Sequence, residues 1–388
     1  MPARAGLAAV LGTFGPAFLA SHTLNMGQDR VWRAIIACRT PALGGQVESC
    51  ARCGSTRFVY HSCRNRHCPL CQTRAKEAWL AARRRELLPV PYFHVVFTLP
   101  HALHCLVGQH ATLLYELLFR SAAATLTTFA ANPRWLGGTP AFSLVLHTWK
   151  QDLGRHLHVH ALVAGGALTA AGEWVQPRRG FLFPVKALSK VFRGKFIAAL
   201  QQERIAGPLR QDTTLTAGVW QHLLTQLYEH DWVVYAKQPL GGPAQVLEYL
   251  SRYAHRVAIS NERILAIGHD TVTLRVRGNA QGSTKRTVQV PGPEFIARFL
   301  QHVLPRGFKR IRHYGLLGPA HKADHLAAAR HALAAPAPMP KVIETVAAFL
   351  RRVAKIEWSA CPHCADGHFV VVQALAPTHR PASARAPP

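Results

Sequence analysis

The chain has 388 residues and carries 46 Lys and Arg against 19 Asp and Glu, a formal charge of +27. An apolar share of 49% supports real cores, and the length fits two or three structural units. The basic excess is spread along the whole chain, which predicts a polyanionic partner, most simply nucleic acid, with a membrane surface as the second candidate.

Nine cysteines, mostly spaced as Cys-x2-Cys, argue for metal binding in a reducing compartment and against a disulfide framework. No uninterrupted run of about 18 apolar residues exists, so no membrane span is expected. The stretch from Ala5 to Ala20 has the composition of a signal-peptide core, but Gly12, Gly15 and Pro16 interrupt it. It reads as a helix-and-turn lead-in.

Helical spacing of Leu19, Leu24, Val31, Ile35 and Ile36 predicts helix over about 15–48, broken at Leu43-Gly44-Gly45. Next come Cys50-Ala51-Arg52-Cys53, then Cys63, then Cys68-Pro69-Leu70-Cys71. Two Cys-x2-Cys knuckles at this spacing predict a zinc ribbon ligated by Cys50, Cys53, Cys68 and Cys71, with Cys63, His61 and His67 as surplus ligands. Bound zinc would supply folding energy that so short a segment lacks. Arg64, Arg66, Arg74 and Lys76 surround the knuckles and offer a DNA-contacting surface; the bland alternative is a solvated charged face.

Beyond Pro89 and Pro91, Tyr92 to Thr98 reads as a strand, followed by a helix over about 110–131. Phe142 to Trp149 and His156 to Val163 read as two strands joined by a turn near Asp152-Leu153-Gly154, most simply paired antiparallel, with Gly165-Gly166 ending the second. Side chains at i and i+2 share one face of a strand, so His158 and His160 can grip one metal ion while Val159 and Ala161 face the other way. The alternative is a His-rich strand in a protein with 23 histidines. Gln151, His147 and His156 are open as the third ligand.

Helices over about 185–205 and 217–229 precede a strand over 232–237 and a helix from Ala244 to Arg256. Tyr249 and Tyr253, at i and i+4, lie on one face of that helix, which by itself is ordinary packing. Ile264 to Arg277 predicts a hairpin turning at Gly268-His269-Asp270, and a helix follows over about 293–303. The stretch Arg306 to Tyr314, including Lys309 and Arg310, interleaves cations with aromatics as single-stranded nucleic-acid sites do. Residues 326–340 read as an Ala- and Pro-rich linker. The lone knuckle Cys361-Pro362-His363-Cys364 is half a ribbon, to be completed by His363 or His368 or else vestigial, and residues 377–388 read as disordered. No glycine-rich phosphate loop is present, so no nucleotide cofactor is expected.

Taken together, the ribbon with Ser62-Cys63-Arg64-Asn65-Arg66-His67-Cys68-Pro69-Leu70-Cys71-Gln72, then His147-Thr148-Trp149, then His156 to His160 running to Gly165-Gly166, then Glu248-Tyr249-Leu250-Ser251-Arg252-Tyr253 with Ile259-Ser260-Asn261 and Arg263 resembles the HUH endonucleases. More closely the chain resembles the two-tyrosine rolling-circle transposases of bacterial insertion sequences, the IS91/ISCR family, over about residues 15–320. Leu157 stands where proline is commoner in the HUH strand. The resemblance implies an α+β fold: a helical lead-in and zinc ribbon over 1–88, an HUH domain of antiparallel sheet flanked by helices over 89–320, and a mostly irregular tail over 321–388.

It further implies that Tyr249 and Tyr253 are the nucleophiles. His158 and His160 with one of the three candidates would hold Mg²⁺ or Mn²⁺. Single-stranded DNA at element ends and target would lie against Arg64, Arg66, Arg252, Arg256, Lys309 and Arg310. The setting implied is the bacterial cytoplasm and its nucleoid. Two other readings stay open, a plasmid replication initiator or relaxase with the same chemistry and a non-enzymatic zinc-dependent DNA-binding regulator.

Overall fold

A computed structural model describes residues 6–178, 180–240, 245, 247, 258–277, 285–338, 340, 344–355 and 357–378. The fold is α+β, as expected. Its centre is an antiparallel sheet in the order β11-β4-β5-β3-β7, formed by β11 (Ile311–Gly315), β4 (Thr139–Trp149), β5 (Arg155–Leu168), β3 (Tyr92–Thr98) and β7 (Val234–Leu240), with β6 (Trp174–Val175) paired to the end of β5. Strict alternation along the central strands assigns the faces. Phe93, Val95 and Phe97 of β3, Phe142, Leu144 and Leu146 of β4 and Leu157, Val159, Ala161 and Val163 of β5 are buried in one core. Helices α4 (His104–Ala131) and α5 (Val185–Ala206) cover them through Leu114, Leu118, Leu126, Phe192 and Phe196. Each such buried Val, Leu or Phe side chain contributes roughly 1.5–3 kcal/mol of apolar transfer.

Strand β5 does not stop at its glycines. Gly165 and Gly166 lie inside it, and the strand continues to Leu168. A Cβ on Gly165 would sit 2.7 Å from the Pro91 carbonyl, and Gly166, at φ +148°, has the Trp174 indole against it. Close approach of neighbours therefore explains the glycines, not strand termination.

The lead-in is two helices, α1 (Leu7–Leu19) and α2 (Met26–Ala37). Pro16 is accommodated within α1, and Gly15 lets the Trp32 indole pack within 2.8 Å of where a Cβ would stand. These helices share a second core with β8 (Ile264–Ile267), β9 (Thr271–Arg277), β10 (Lys285–Pro291) and α7 (Gly292–Leu300), through Leu7, Leu11, Phe14, Trp32, Val272, Leu274, Phe295 and Phe299. Asn261 joins the two sequence-distant parts, its Oδ1 accepting from the Leu7 amide at the start of α1 (3.1 Å). The β4–β5 turn reaches into this core with Leu153, at φ +64°, whose carbonyl accepts from Gln301 Nε2 and His302 Nε2, both at 2.8 Å. The hairpin that carries the histidines is thus clamped at its tip.

A smaller sheet, β12-β1-β2, combines β1 (Gly45–Cys50) and β2 (Thr56–Tyr60) with β12 (Phe369–Leu375) from the far end of the described chain. The tail is otherwise largely irregular. Part of the expected linker is helix, α8 (Lys322–Ala332), because Leu326 and Ala329 bury themselves against Leu88, Val90, Tyr92 and Ala164 on the second face of the main sheet. No helix among the described residues is long and apolar enough to cross a membrane.

Candidate metal centre and cysteine clusters

The face of the main sheet opposite the large core carries the histidines. In the β4–β5 ladder His147 lies directly across from His158, and in the β3–β5 ladder Val96 lies across from His160. A register irregularity between His147 and Trp149 re-aims that strand end, and the two rings stack at 4.7 Å between centroids. As a result one ligand nitrogen from each of His147, His158 and His160 falls within 4.8 Å of the others. Among the three residues open as third partner, His147 joins the pair. His156 projects from the same face, 4.8 Å from His158 between ring centroids and 6.3 Å from His101. Gln151 lies in the turn, where its carbonyl accepts from Arg263.

The environment suits ligation. Burial pushes the His158 imidazole down to about 3 and His160 well below its ordinary range, with neighbouring imidazolium charges acting the same way. Both rings are therefore neutral at physiological pH, the form that binds metals. The His158 Nδ1–H donates to the His156 carbonyl (3.0 Å), leaving Nε2 for a ligand. The Nδ1 of His160 is bonded to His94 Nε2 at 2.7 Å, which likewise leaves its Nε2. An outer partner of this kind fixes tautomer and ring orientation. Three imidazole ligands would leave coordination positions for oxygen ligands, a donor set that suits a first-row ion such as Mn²⁺ better than Mg²⁺.

His94 was not picked out from sequence. Its only signal is a single imidazole in an otherwise apolar and aromatic strand. Tyr249, Tyr253, Arg252 and Arg256 lie outside the described residues. Of the other cations, Arg64 and Lys309 are exposed. The Arg66 guanidinium instead donates to the carbonyls of Phe308 (2.6 Å) and Pro305 (3.0 Å), fastening the cysteine-rich segment to the loop before β11. Arg310 is half-buried, and desolvation draws its pKa down to about 10. Its carbonyl accepts from the Leu146 amide as it enters β11, so part of the basic stretch is an edge strand.

The cysteines are grouped differently from the expected single ribbon. Cys68 and Cys71 cluster with Cys63 and Cys38, while Cys50 and Cys53 cluster with Cys361 and Cys364. The physical reason is the small sheet: β1 and β2 direct the first knuckle away from the second and toward the residues that precede β12. Cys38, at the end of α2, was missed, and Cys63 is a member of its cluster, not a spare. A sulfur tetrahedron about 2.3 Å from a central zinc has edges of about 3.8 Å. In the first cluster Cys71 Sγ is 3.6 Å from both Cys38 and Cys63 Sγ, far beyond the roughly 2.05 Å of a disulfide. Hydrogen bonds from Cys63 and Cys68 hold the Cys38 thiol far below its usual range, while the same contacts push Cys63 and Cys68 up. Four thiols at this separation share negative charge that a cation neutralises.

Comparison with known proteins finds matches to two segments of the chain. Residues 10–99 match a family model described as "Transposase zinc-binding domain", and residues 141–324 match one described as "Putative transposase". The histidine face and the first cysteine cluster fall within these two segments, so the class is a DNA-processing transposase with a zinc-binding domain. A relative from Sinorhizobium fredii, "Putative transposase y4qJ", is 42% identical over 382 residues, 96% of each chain. "Transposase for insertion sequence element IS801" from Pseudomonas savastanoi pv. phaseolicola is 28% identical over 322 residues, 79% of this chain and 75% of that one. The chain belongs to the IS91 family of insertion-sequence transposases. No solved structure matches it significantly.

Proposed function

We propose that this transposase nicks single-stranded DNA at the ends of its element by tyrosine attack and so drives rolling-circle-like transposition. The observation that carries the reading is the buried triad of His147, His158 and His160, one ligand atom each within 4.8 Å, on a single sheet face. A divalent ion bound by this triad would neutralise charge on the scissile phosphate and orient it. Tyr249 or Tyr253 supplies the nucleophile: its hydroxyl loses a proton, the new phenolic O–P bond forms, and the P–O3′ bond breaks. The leaving 3′ oxygen ends as a hydroxyl and the 5′ phosphate stays on the tyrosine. The ester keeps the bond energy, which accords with a sequence lacking a phosphate loop. The second tyrosine, four residues from the first in the predicted helix, would accept a second strand while the first is occupied.

Within the face, His94 and the His156 carbonyl orient the two β5 rings, and the clamped turn at Leu153 holds the hairpin in register. Exposed Arg64 and Lys309, with Arg252 and Arg256 beside the tyrosines in sequence, supply cations for the DNA backbone. The match to transposases supports a transposase over a replication initiator or a non-enzymatic regulator.

The test is incubation with single-stranded oligonucleotides carrying candidate element ends and Mn²⁺, followed by denaturing electrophoresis. A covalent protein–DNA adduct is expected, lost in the Tyr249→Phe/Tyr253→Phe double variant. An adduct formed equally well by that variant sinks the tyrosine assignment.

A further inference from the structure

The matched zinc-binding domain ends at residue 99, yet Cys50 and Cys53 inside it have no cysteine partners there. We propose that the protein holds a second tetrahedral zinc ion on Cys50, Cys53, Cys361 and Cys364, which staples the C-terminal tail onto the N-terminal sheet.

The geometry is that of a closed four-thiolate site. Cys50 Sγ lies 3.7 Å from Cys364 Sγ, and Cys53 Sγ lies 3.7 Å from Cys361 Sγ. These values match the roughly 3.8 Å edge of a zinc–sulfur tetrahedron. The two pairs are Cys-x2-Cys knuckles related across the site, each turned tightly by its own backbone. The Gly54 amide bonds the Cys50 carbonyl at 3.0 Å, and the Cys361 amide bonds the Gly367 carbonyl at 2.8 Å. Gly367 is also a spacing requirement, since a Cβ there would run into the sulfurs of both Cys364 and Cys50. The cysteine count closes: four residues in each cluster leave Cys105 as the ninth, exposed near the start of α4.

The surroundings fit an ion-held joint. The local apolar cluster consists of Cys50, Cys361 and Phe369, with Cys364 packed against it, too little to hold a tail by burial alone. The remaining contacts are polar or stacked and converge on the site. Arg52 pairs with Asp366 at 2.5 Å, and the Ala51 amide bonds the His368 carbonyl at 3.1 Å. Arg57 donates to the Trp358 carbonyl (2.7 Å) while its guanidinium stacks over the rings of Trp358 (4.4 Å) and Phe369 (4.0 Å). The ion closes a loop whose ends, Cys50 and Cys364, are 314 residues apart in sequence, so its binding on folding offsets the entropy of that closure. It also makes β1 the middle strand of its sheet, paired with β2 on one side and β12 on the other. The ribbon region therefore completes itself only in a chain that includes residues 361–375.

Metal content of the purified full chain tests the proposal. Two zinc ions per chain are expected, falling to one in Cys361→Ser/Cys364→Ser and to one, by loss of the other ion, in Cys38→Ser/Cys63→Ser. Cys364→His should keep two, since imidazole replaces thiolate in such sites. A full chain with one zinc that Cys361→Ser/Cys364→Ser retains overturns the staple while leaving the first cluster standing. Because the serine variants could fail to fold, the wild-type chain is also alkylated and mapped by mass spectrometry. Cys361 and Cys364 should resist iodoacetamide until a chelator is added, together with Cys50 and Cys53, while Cys105 labels at once. Labelling of Cys361 and Cys364 as fast as Cys105 overturns the proposal as well.

Discussion

The histidine face and the cysteine clusters are both groups of side chains able to hold a metal, but they are assembled in opposite ways. His147, His158 and His160 sit on adjacent strands whose ladders run over most of their length, backed by a large apolar core. Their positions are set by strand register, so a metal would enter a site that is already built. The second cluster joins knuckles far apart in sequence, and its small apolar cluster adds only Phe369 to the cysteines themselves. There ligation supplies what packing does not. On the proposed metal sites, folding would precede the metal in one region, and the metal would drive folding in the other.

Four perturbations separate these regimes, and a fifth probes the joint between the cores. The largest effect is expected from stripping the cysteine sites with a strong chelator. Structural zinc contributes on the order of 10 kcal/mol to small modules. The small sheet β12-β1-β2 should lose hydrogen-exchange protection while β3, β4 and β5 keep theirs. Simultaneous loss of protection in both sheets would erase the distinction.

Replacing a ligand at the prefolded site should act on chemistry and not on folding. His158→Ala is expected to lower the adduct-forming rate roughly a thousand-fold, the equivalent of several kcal/mol of charge stabilisation, with little change in thermal midpoint without added metal. A midpoint collapse comparable to that from zinc removal would show that the metal builds this face too. His94→Ala touches only the ring that orients His160, so Mn²⁺ affinity should drop about 10–100-fold. Unchanged affinity, read by calorimetry, would remove His94 from the site.

Acid supplies a graded version of the same contrast. Burial holds His158 at about 3 in the folded chain, against about 6.5 when unfolded. Between those values the unfolded chain binds the extra proton, so stability is whole above about pH 6.5 and is lost as pH falls toward 3. His147, His156, His160 and His94 face the same ring, and burial lowers His156 and His160 as well. Denaturant midpoints at pH 7.5 and 5.0 should differ more in wild type than in His158→Asn. The comparison between variants cancels the acid sensitivity of the thiolates. Equal shifts in the two proteins would contradict the buried, neutral assignment.

The smallest effect tests how the second core is joined. Asn261→Ala removes the acceptor at the start of α1 and should cost about 1 kcal/mol. A neutral result in chemical denaturation would mean that water replaces the cap.

Much of the candidate site was legible in the chain because its determinants are local. The i, i+2 spacing of His158 and His160 follows from the pleat, and the apolar residues between them dictate which face is core. The two histidine-bearing strands, the hairpin tip and the cysteine-rich segment all show as short-range patterns, and the family match bears out the resemblance to insertion-sequence transposases drawn from them. The third histidine was one of several candidates because a strand's own periodicity cannot say which residue lies across the ladder.

By itself, then, the sequence determined the class of chemistry: an antiparallel sheet bearing paired imidazoles, knuckles spaced for zinc, and a basic field suited to nucleic acid. Only the tertiary structure decided the partners. Register placed His147 opposite His158 and His94 against His160, and strand pairing sent Cys50 and Cys53 to residues 361 and 364 instead of 68 and 71. The reason is physical. Spacing along a chain constrains neighbours within a strand or a turn, whereas contacts across a ladder, and closures over three hundred residues, depend on which cores form and how their faces meet.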